Sequence, residues 1–434
     1  MPCDSKASEM AWSSADPVDE SILRLLRTAL SDKALPTVFM PGDSWDKIHA
    51  LVASNSVEGA AWVGVERAGG PDALRIPSGL ASRWCSEADA TMWRALQFEV
   101  EREAVFAEMS NAGIAHMSLK GVVVAPLYPD PRMRSMADND ILYAYVEPAP
   151  NGGFRVPGFT AFDRARRVRN CARDLQRIMV SRGYETEGIL DWHHDEYLKK
   201  PVFNFEMHRG LVRPNSELSA YWASPWTRAI HCAGDDPYEF RMAEEDVYLF
   251  HVAHAYDHFT SGGCGVRHAL DEIVFLRAYG EAMDWPHIFG ELAAMGGEVA
   301  AFEGRLRRAS LAAFGDDEER VGFAPERDWG ITPEDAFGLR LSDEDKGFLE
   351  YLIGSGTYGK ESQRLANAAR KTNDGLLARV RYVWERLAME PAGRALEHPL
   401  LGSYKVLFPV FIVARLVKAA HHAPRLVREL ESIG

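Results

Sequence analysis

Apolar residues recur at helical spacing through the N-terminal part of the chain. Residues 22–29 and 45–52 show this pattern, and residues 84–112 form the longest helical stretch, which ends beside Gly113. A glycine at that point is typical of a helix C-terminus. The first twenty residues are polar and lack such periodicity, so we expect a mobile tail followed by a helical region.

The pattern changes after Gly113, where short apolar segments alternate with helical ones. The segments with the length and composition of strands are residues 115–119, 138–146 and 202–211. A basic amphipathic helix is predicted for residues 162–182, and this alternation is typical of a small α/β unit. Beyond residue 216 no strand pattern is visible, and helical spacing returns.

These patterns predict an α+β protein in which a small α/β core is embedded in a mostly helical chain. The expected regions are a mobile tail (1–20), an N-terminal helical region (21–100), the α/β core (101–215) and a helical C-terminal region (216–434). Within the last region, further helices are predicted for residues 362–371, 376–388 and 406–430.

The charge of the chain narrows its possible partners. The formal net charge is -14 at pH 7 over 434 residues. An acidic surface repels phosphate backbones, so we do not expect general binding of nucleic acids. A local basic cleft that holds a single nucleotide is compatible with this charge.

Cysteine usage and hydropathy indicate the cellular compartment of the protein. The five cysteines form no C-x-x-C pair, which argues against a disulfide framework or a zinc motif and favours a reducing cytoplasm. The N-terminus lacks the basic and apolar regions of a secretory signal. The most apolar run, residues 406–414, is too short to span a bilayer and contains Pro409. We therefore expect a cytoplasmic protein without a membrane span.

Three carboxylates in the predicted strands are the main candidates for chemistry. Asp138 and Asp140 stand two residues apart in one strand, so their side chains should share a face, and Glu206 belongs to the next strand. Such carboxylates bind hard cations and suit a two-metal site. Earlier in the chain Gly121 follows Lys120 at a predicted strand end, where a glycine lets the backbone approach phosphate oxygens. A lone D-x-D pair is more often two solvated acids, so the argument depends on the ordered set.

This ordered set resembles a known family. The segments LKGVVVAPLYPDPRMRSMADND and FEMHRGL resemble the K-G turn, the Y-x-D-P-x-x-R stretch, the D-x-D strand and the E-x-H strand of the uncharacterised bacterial nucleotidyltransferases in the DNA polymerase beta superfamily. The matching residues are Lys120, Gly121, Tyr128, Asp130, Pro131, Arg134, Asp138, Asp140, Glu206 and His208. The similarity extends towards both ends of the chain and includes His193 and His194, two histidines that are predicted to lie in a loop.

The resemblance implies a polymerase-beta-type core and Mg²⁺-dependent transfer of an NMP from an NTP to an acceptor. The catalytic residues, which would also bind two Mg²⁺ ions, are Asp138, Asp140 and Glu206. The residues that would bind the phosphates of the NTP are Lys120, Gly121 and Arg134. The acceptor is an unidentified small molecule or protein, and the residues expected on its side of the site are His208, His254, Arg267 and Asp271.

Two departures from the wider superfamily leave alternatives open. Asn139 stands between the aspartates, where an apolar residue is usual, and a single glycine follows Lys120, where G-G or G-S is usual. Both features slightly favour a degenerate nucleotide-binding scaffold without turnover. A toxin-like enzyme that transfers an NMP to a protein or a tRNA is the other alternative.

Separately, His251, His254 and His258 share a helix face and could hold zinc, although a polar helix face is the commoner explanation.

Overall fold

Most of the secondary structure is helical. A computed structural model describes residues 17–31, 45–150, 152–190, 194–213, 216–232, 234–261, 263–316, 319, 322, 323, 343–356 and 409. The helices in these ranges are α1 (Pro17–Leu30), α2 (Trp45–Ser54), α3 (Glu58–Arg67), α4 (Gly70–Ala73), α5 (Ser78–Asn111), α6 (Gly121–Val124), α7 (Ala161–Ser181), α8 (Glu244–Ser261), α9 (Val266–Tyr279), α10 (Trp285–Met295), α11 (Gly297–Phe314) and α12 (Asp343–Ser355). None of them is long and apolar enough to cross a membrane.

Short strands in the same ranges form two sheets. They are β1 (Ala115–Ser118), β2 (Asn139–Ala144), β3 (Glu147–Pro148), β4 (Phe154–Arg155), β5 (His194–Lys199), β6 (Phe203–His208), β7 (Ala229–His231) and β8 (Glu239–Met242). β3 and β4 pair with each other, and the remaining strands form one sheet in the order β5-β6-β2-β1-β8-β7. In this sheet β2 runs parallel to β6 and antiparallel to β1.

The chain divides into two compact units. Unit 1 falls within residues 1–96, 123–136 and 258–360, and unit 2 falls within residues 97–122, 137–257 and 361–434. Unit 2 contains the whole six-stranded sheet.

One face of the sheet in unit 2 is packed against helices. Apolar residues of β2 and β6 form a buried cluster with residues of α5 and α7, which includes Val105, Met109, Ile141, Tyr143, Leu175, Met179, Phe205 and Met207. Because side chains alternate along a strand, the residues between these, including Asp140 and Glu206, point to the opposite face. The register therefore places the two carboxylates on the face opposite the apolar cluster.

Unit 1 is built from helices that pack closely together. α1 packs on α3, and at their crossing a Cβ added to Gly64 would lie 2.1 Å from the carbonyl oxygen of Leu25, so only glycine permits this approach. The buried side chain of Asn55, which follows α2, donates a hydrogen bond to the carbonyl of Ile353 and accepts one from the amide of Val266. Asn55 thereby connects α12 to the start of α9.

The structure confirms the predicted α+β class. The prediction that no strand follows residue 216 is wrong, because β7 and β8 lie beyond it. These strands have three and four residues, which is too short for a recognisable alternation. α1 begins at Pro17, inside the segment predicted as a tail. The helices predicted for residues 362–371, 376–388 and 406–430 lie outside the described residues, apart from Pro409.

Candidate active site

Asp140 and Glu206 lie on the face of the sheet opposite the apolar cluster. They belong to the parallel neighbours β2 and β6, and the register places them side by side. Asp140 is 4% exposed, and Glu206 is half-buried. Two ionised carboxylates at paired positions of neighbouring strands repel each other unless a positive charge lies near both.

Lys120 supplies that positive charge. Its Nζ lies 2.6 Å from Asp140 Oδ1 and 3.7 Å from Glu206 Oε2. Lys120 follows β1 closely, and the amide of Leu119 donates a hydrogen bond of 2.9 Å to the carbonyl of Asp140, which holds this turn against β2. The backbone of Lys120 has a φ of +49°, a left-handed conformation that costs a non-glycine residue about 1 kcal/mol or more. The turn therefore keeps the ammonium group against both carboxylates despite a local cost.

Two histidines complete the cluster. His208 is fully buried, and its Nε2 lies 2.8 Å from Asp140 Oδ1 and 3.5 Å from Glu206 Oε2. His194 is the first residue of β5 and stands opposite His208 in the register. Its Nε2 lies 4.0 Å from Glu206 Oε1, and the centroids of the two imidazole rings are 5.0 Å apart.

The charged groups of this cluster shift one another's pKa values so that each stays ionised. Burial by itself would raise the pKa of Asp140, but Lys120 and the hydrogen bond from His208 outweigh burial, so the pKa lies well below its usual value. The same hydrogen-bond donor and the same lysine lower the pKa of Glu206 against the effect of burial. Burial would lower the pKa of Lys120, whereas the two carboxylates raise it. All three groups are therefore charged near neutral pH.

His194 is neutral under the same conditions. Burial lowers its pKa to about 4, and this effect exceeds the opposing attraction of Glu206. A neutral imidazole has a free lone pair on one ring nitrogen and can bind a metal.

Asp138 and Asn139 have different surroundings. Asp138 precedes β2, which begins at Asn139, and its charge reaches Lys120, whose pKa it helps to raise. Asn139 is fully buried, and its Oδ1 accepts a hydrogen bond of 3.1 Å from Arg102 of α5. The asparagine between the two aspartates thus joins β2 to α5, and this contact explains why a polar residue stands where an apolar one is usual.

Sequence comparison establishes the family. A family described as uncharacterised nucleotidyltransferases matches residues 41–148 and 168–311, which make up more than half of the chain and include every residue of the cluster. The chain belongs to this nucleotidyltransferase family. No curated protein and no solved structure matches it.

The Y-x-D-P-x-x-R stretch of the chain is anchored to α9 within unit 1. Tyr128 donates a hydrogen bond of 2.7 Å to Asp271 Oδ1, and Arg134 pairs with both oxygens of the same carboxylate at 2.7 and 3.0 Å. All three side chains are buried. The guanidinium group of Arg134, which was expected at the phosphates, therefore binds Asp271 in this structure, and Asp271 has a clear structural partner.

The other residues expected on the acceptor side lie in two helices. His254 belongs to α8, and Arg267 lies in the first turn of α9. Within the described part of the chain, His251, His254 and His258 do not bring three ligand atoms within 4.8 Å of one another, so these histidines alone form no zinc site.

His194 is the member of the cluster whose position the sequence did not reveal. It was expected in a loop, whereas it opens β5, and its neighbour His193 lies outside the described residues. The alternation along β5 was hard to recognise because Asp195, on the buried face, is itself charged. Asp195 pairs with Arg209 and accepts a hydrogen bond of 2.7 Å from the amide of Leu190, so it has a structural role on the opposite face from His194.

Proposed function

We propose that this nucleotidyltransferase transfers an NMP from an NTP to an acceptor hydroxyl or phosphate, with Mg²⁺ bound by Asp138, Asp140 and Glu206. The observation that supports this most strongly is the parallel register of β2 and β6, which puts Asp140 and Glu206 side by side. Lys120 lies against both carboxylates. Two carboxylates with a lysine beside them are suited to bind a metal-bound triphosphate.

The ligand atoms fit a hard divalent cation. Mg²⁺ prefers carboxylate oxygens, and the lowered pKa values of Asp140 and Glu206 keep both groups ionised at physiological pH. Two Mg²⁺ ions bound here would neutralise the developing charge on the triphosphate and activate the acceptor. Asp138 and Asp140 would bind both ions, and Glu206 would bind the ion on the acceptor side.

Lys120 would bind the phosphates of the donor. Its flexible stem allows the ammonium group to leave Asp140 when a divalent cation and a triphosphate arrive, and to contact a phosphate oxygen instead. Gly121 would keep the adjacent backbone free of a side chain where the phosphates approach. Arg134 remains a predicted phosphate ligand, but its two hydrogen bonds to Asp271 would have to break first, so Lys120 is the stronger candidate.

The reaction itself is an in-line displacement. An oxygen of the acceptor forms a bond to the α-phosphorus, the bond from that phosphorus to the β-phosphate oxygen breaks, and pyrophosphate leaves. Glu206 would orient the acceptor and help to remove its proton. Positioning and charge neutralisation supply most of the rate acceleration in such reactions.

The acceptor is proposed to be a small molecule or a protein. The acidic chain disfavours a general nucleic-acid acceptor. His208, His254, Arg267 and Asp271 remain the residues predicted for the acceptor side. Of these, His254 and Arg267 offer a direct test, because His254→Ala and Arg267→Ala should lower transfer while NTP binding is retained. If both variants retained full transfer, neither His254 nor Arg267 would belong to the acceptor side.

A nucleotide-binding scaffold without turnover is the second candidate. The observation that favours it is the ion pair between Lys120 and Asp140, because an ammonium group at 2.6 Å competes with a divalent cation for the same oxygen. A protein of this kind would bind an NTP and release it unchanged.

Incubation with each α-labelled NTP, Mg²⁺ and a cell extract distinguishes the candidates. We expect the wild-type protein to label one class of acceptor, which protease, nuclease or filtration then identifies as protein, tRNA or small molecule. Asp140→Asn and Glu206→Gln should abolish labelling, whereas Glu239→Gln, which changes a carboxylate of β8 outside the cluster, should not. Binding of the NTP without labelling by the wild type would support the scaffold.

A further inference from the structure

The carboxylate of Glu206 lies between two imidazoles. The ligand atoms of His194, Glu206 and His208 all lie within 4.8 Å of one another. Glu206 Oε1 faces His194 at 4.0 Å, whereas Glu206 Oε2 faces Lys120 at 3.7 Å. Glu206 Oε2 also lies 3.5 Å from His208 Nε2, so each oxygen of the carboxylate lies near one imidazole.

The backbone arranges these three donors. His194 and His208 are direct partners in the antiparallel pairing of β5 with β6, and Glu206 precedes His208 by two residues on the same face of β6. Because all three side chains stand on paired strands, their spacing depends on sheet geometry and not on a loop. Ligands of a tetrahedral metal are roughly 3.3 Å apart at bond lengths near 2.0–2.1 Å, so small side-chain rotations would close the site.

Nitrogen donors change which metal such a position prefers. Imidazole favours zinc and other later transition metals, whereas Mg²⁺ is bound through oxygen ligands and water. A set of two imidazoles and one carboxylate is also a known donor set of catalytic zinc sites, which keep a further position for water or substrate. His208 is fully buried and His194 is half-buried, so bulk water has limited access to both rings.

We propose that His194, Glu206 and His208 bind a divalent transition-metal ion, with Zn²⁺ held more tightly than Mn²⁺ and Mg²⁺ held most weakly. His208 Nε2 contacts Asp140 Oδ1 at 2.8 Å in the structure. To bind the metal through Nε2, His208 carries its ring proton on Nδ1 and no longer donates to Asp140 Oδ1, which keeps its ion pair with Lys120 Nζ at 2.6 Å. This inference goes beyond the proposed function, because metal binding here requires neither an NTP nor turnover.

Metal binding by the full-length protein tests the proposal directly. The protein is prepared without a polyhistidine tag, treated with a chelator, and titrated with Zn²⁺, Mn²⁺ and Mg²⁺ in the absence of nucleotide. Pulsed electron paramagnetic resonance of bound Mn²⁺ detects nitrogen ligands. We expect coupling to two imidazole nitrogens in the wild type and to one in His194→Ala, together with more than about tenfold weaker Zn²⁺ binding by this variant. His231→Ala, which removes an exposed histidine of β7, should match the wild type.

The outcomes separate this inference from the proposed function. Bound Mn²⁺ without nitrogen coupling, or Zn²⁺ affinity unchanged in His194→Ala, would overturn the inference without contradicting Mg²⁺ binding by Asp138, Asp140 and Glu206. Because a change of the buried His208 could unfold the protein, Glu206→Gln is the second variant, and it should also weaken Zn²⁺ binding. Failure of NMP transfer with nitrogen coupling intact would overturn the proposed function alone.

Discussion

Lys120 has two partners in the proposed reaction, a carboxylate in the free protein and a phosphate in the complex. Lys120→Met keeps most of the apolar stem and removes the charge. We expect NMP transfer to fall by about a hundredfold or more, which is typical for loss of one charge-stabilising group. The affinity for Mn²⁺ should stay equal or rise, since Asp140 and Glu206 lose a competing cation. Single-turnover assays and metal titration measure the two effects.

The exposed Lys200 provides the matched control. Lys200→Met removes the same charge from the same unit and should leave transfer unchanged. If Lys120→Met also retained full transfer, the phosphates would have to be neutralised by another group.

We expect His116 on β1 to make stability depend on pH. Burial lowers its pKa, and this effect exceeds the opposing contributions of the Ile114 carbonyl and Asp236. The unfolded chain therefore takes up a proton more readily than the folded chain, so stability decreases as the pH falls below the unfolded pKa of about 6.5. His116→Gln should be less stable than the wild type by about 1 kcal/mol at pH 8, because it loses the close contact of the ring with Phe106.

Urea unfolding at pH 8, 6.5 and 5 tests this expectation. The difference in free energy of unfolding between wild type and His116→Gln should become smaller as the pH falls, because only the wild type loses stability through this residue. A difference that stays constant across the three pH values would show that His116 does not contribute to the pH dependence.

At the level of whole elements, the close approach of α1 and α3 depends on one glycine. A methyl group at position 64 would meet the carbonyl oxygen of Leu25 at 2.1 Å, and backbone cannot move aside as a flexible side chain does. Gly64→Ala should therefore force the helices apart and lower the free energy of unfolding by about 2 kcal/mol, which is typical of overpacking. Chemical denaturation measures this change.

A second glycine gives the matched comparison. A Cβ at Gly290 of α10 would meet nothing within 4 Å. Gly290→Ala should be neutral or stabilising by up to about 1 kcal/mol, because alanine favours the helix. Equal stability of the two variants would mean that α1 and α3 can shift at little cost.

At the scale of the whole molecule, nucleotide binding should stabilise the fold. A ligand that binds only the folded state adds about 2.7 kcal/mol at a hundred times its dissociation constant. We expect an NTP with Mg²⁺ to raise the melting temperature, and we expect a chelator to cancel the increase. Asp138→Ala combined with Asp140→Ala should also abolish it, and calorimetry or fluorescence scans provide the measurement. An equal increase in the melting temperature of the double variant would show that the nucleotide binds elsewhere.

Much of this fold could be predicted from local patterns. The apolar segments around residues 115–119 and 202–211 became β1 and β6, and the basic amphipathic stretch became α7. The order Lys120, Asp140, Glu206 along the chain also identified three charged residues that the structure brings together. These predictions succeeded because the spacing of apolar residues and the chemistry of a motif are local properties that a sequence displays directly.

Local patterns could not predict which strands pair in the sheet. The sheet order β5-β6-β2-β1-β8-β7 joins segments that are distant in the chain, and no local spacing encodes which strands pair or in which register. Tertiary pairing alone set Asp140 beside Glu206, added His194 to the cluster through β5, and turned the guanidinium group of Arg134 to Asp271. Periodicity indicates the local backbone and its buried face, whereas contacts between remote segments depend on the packing of the folded chain as a whole.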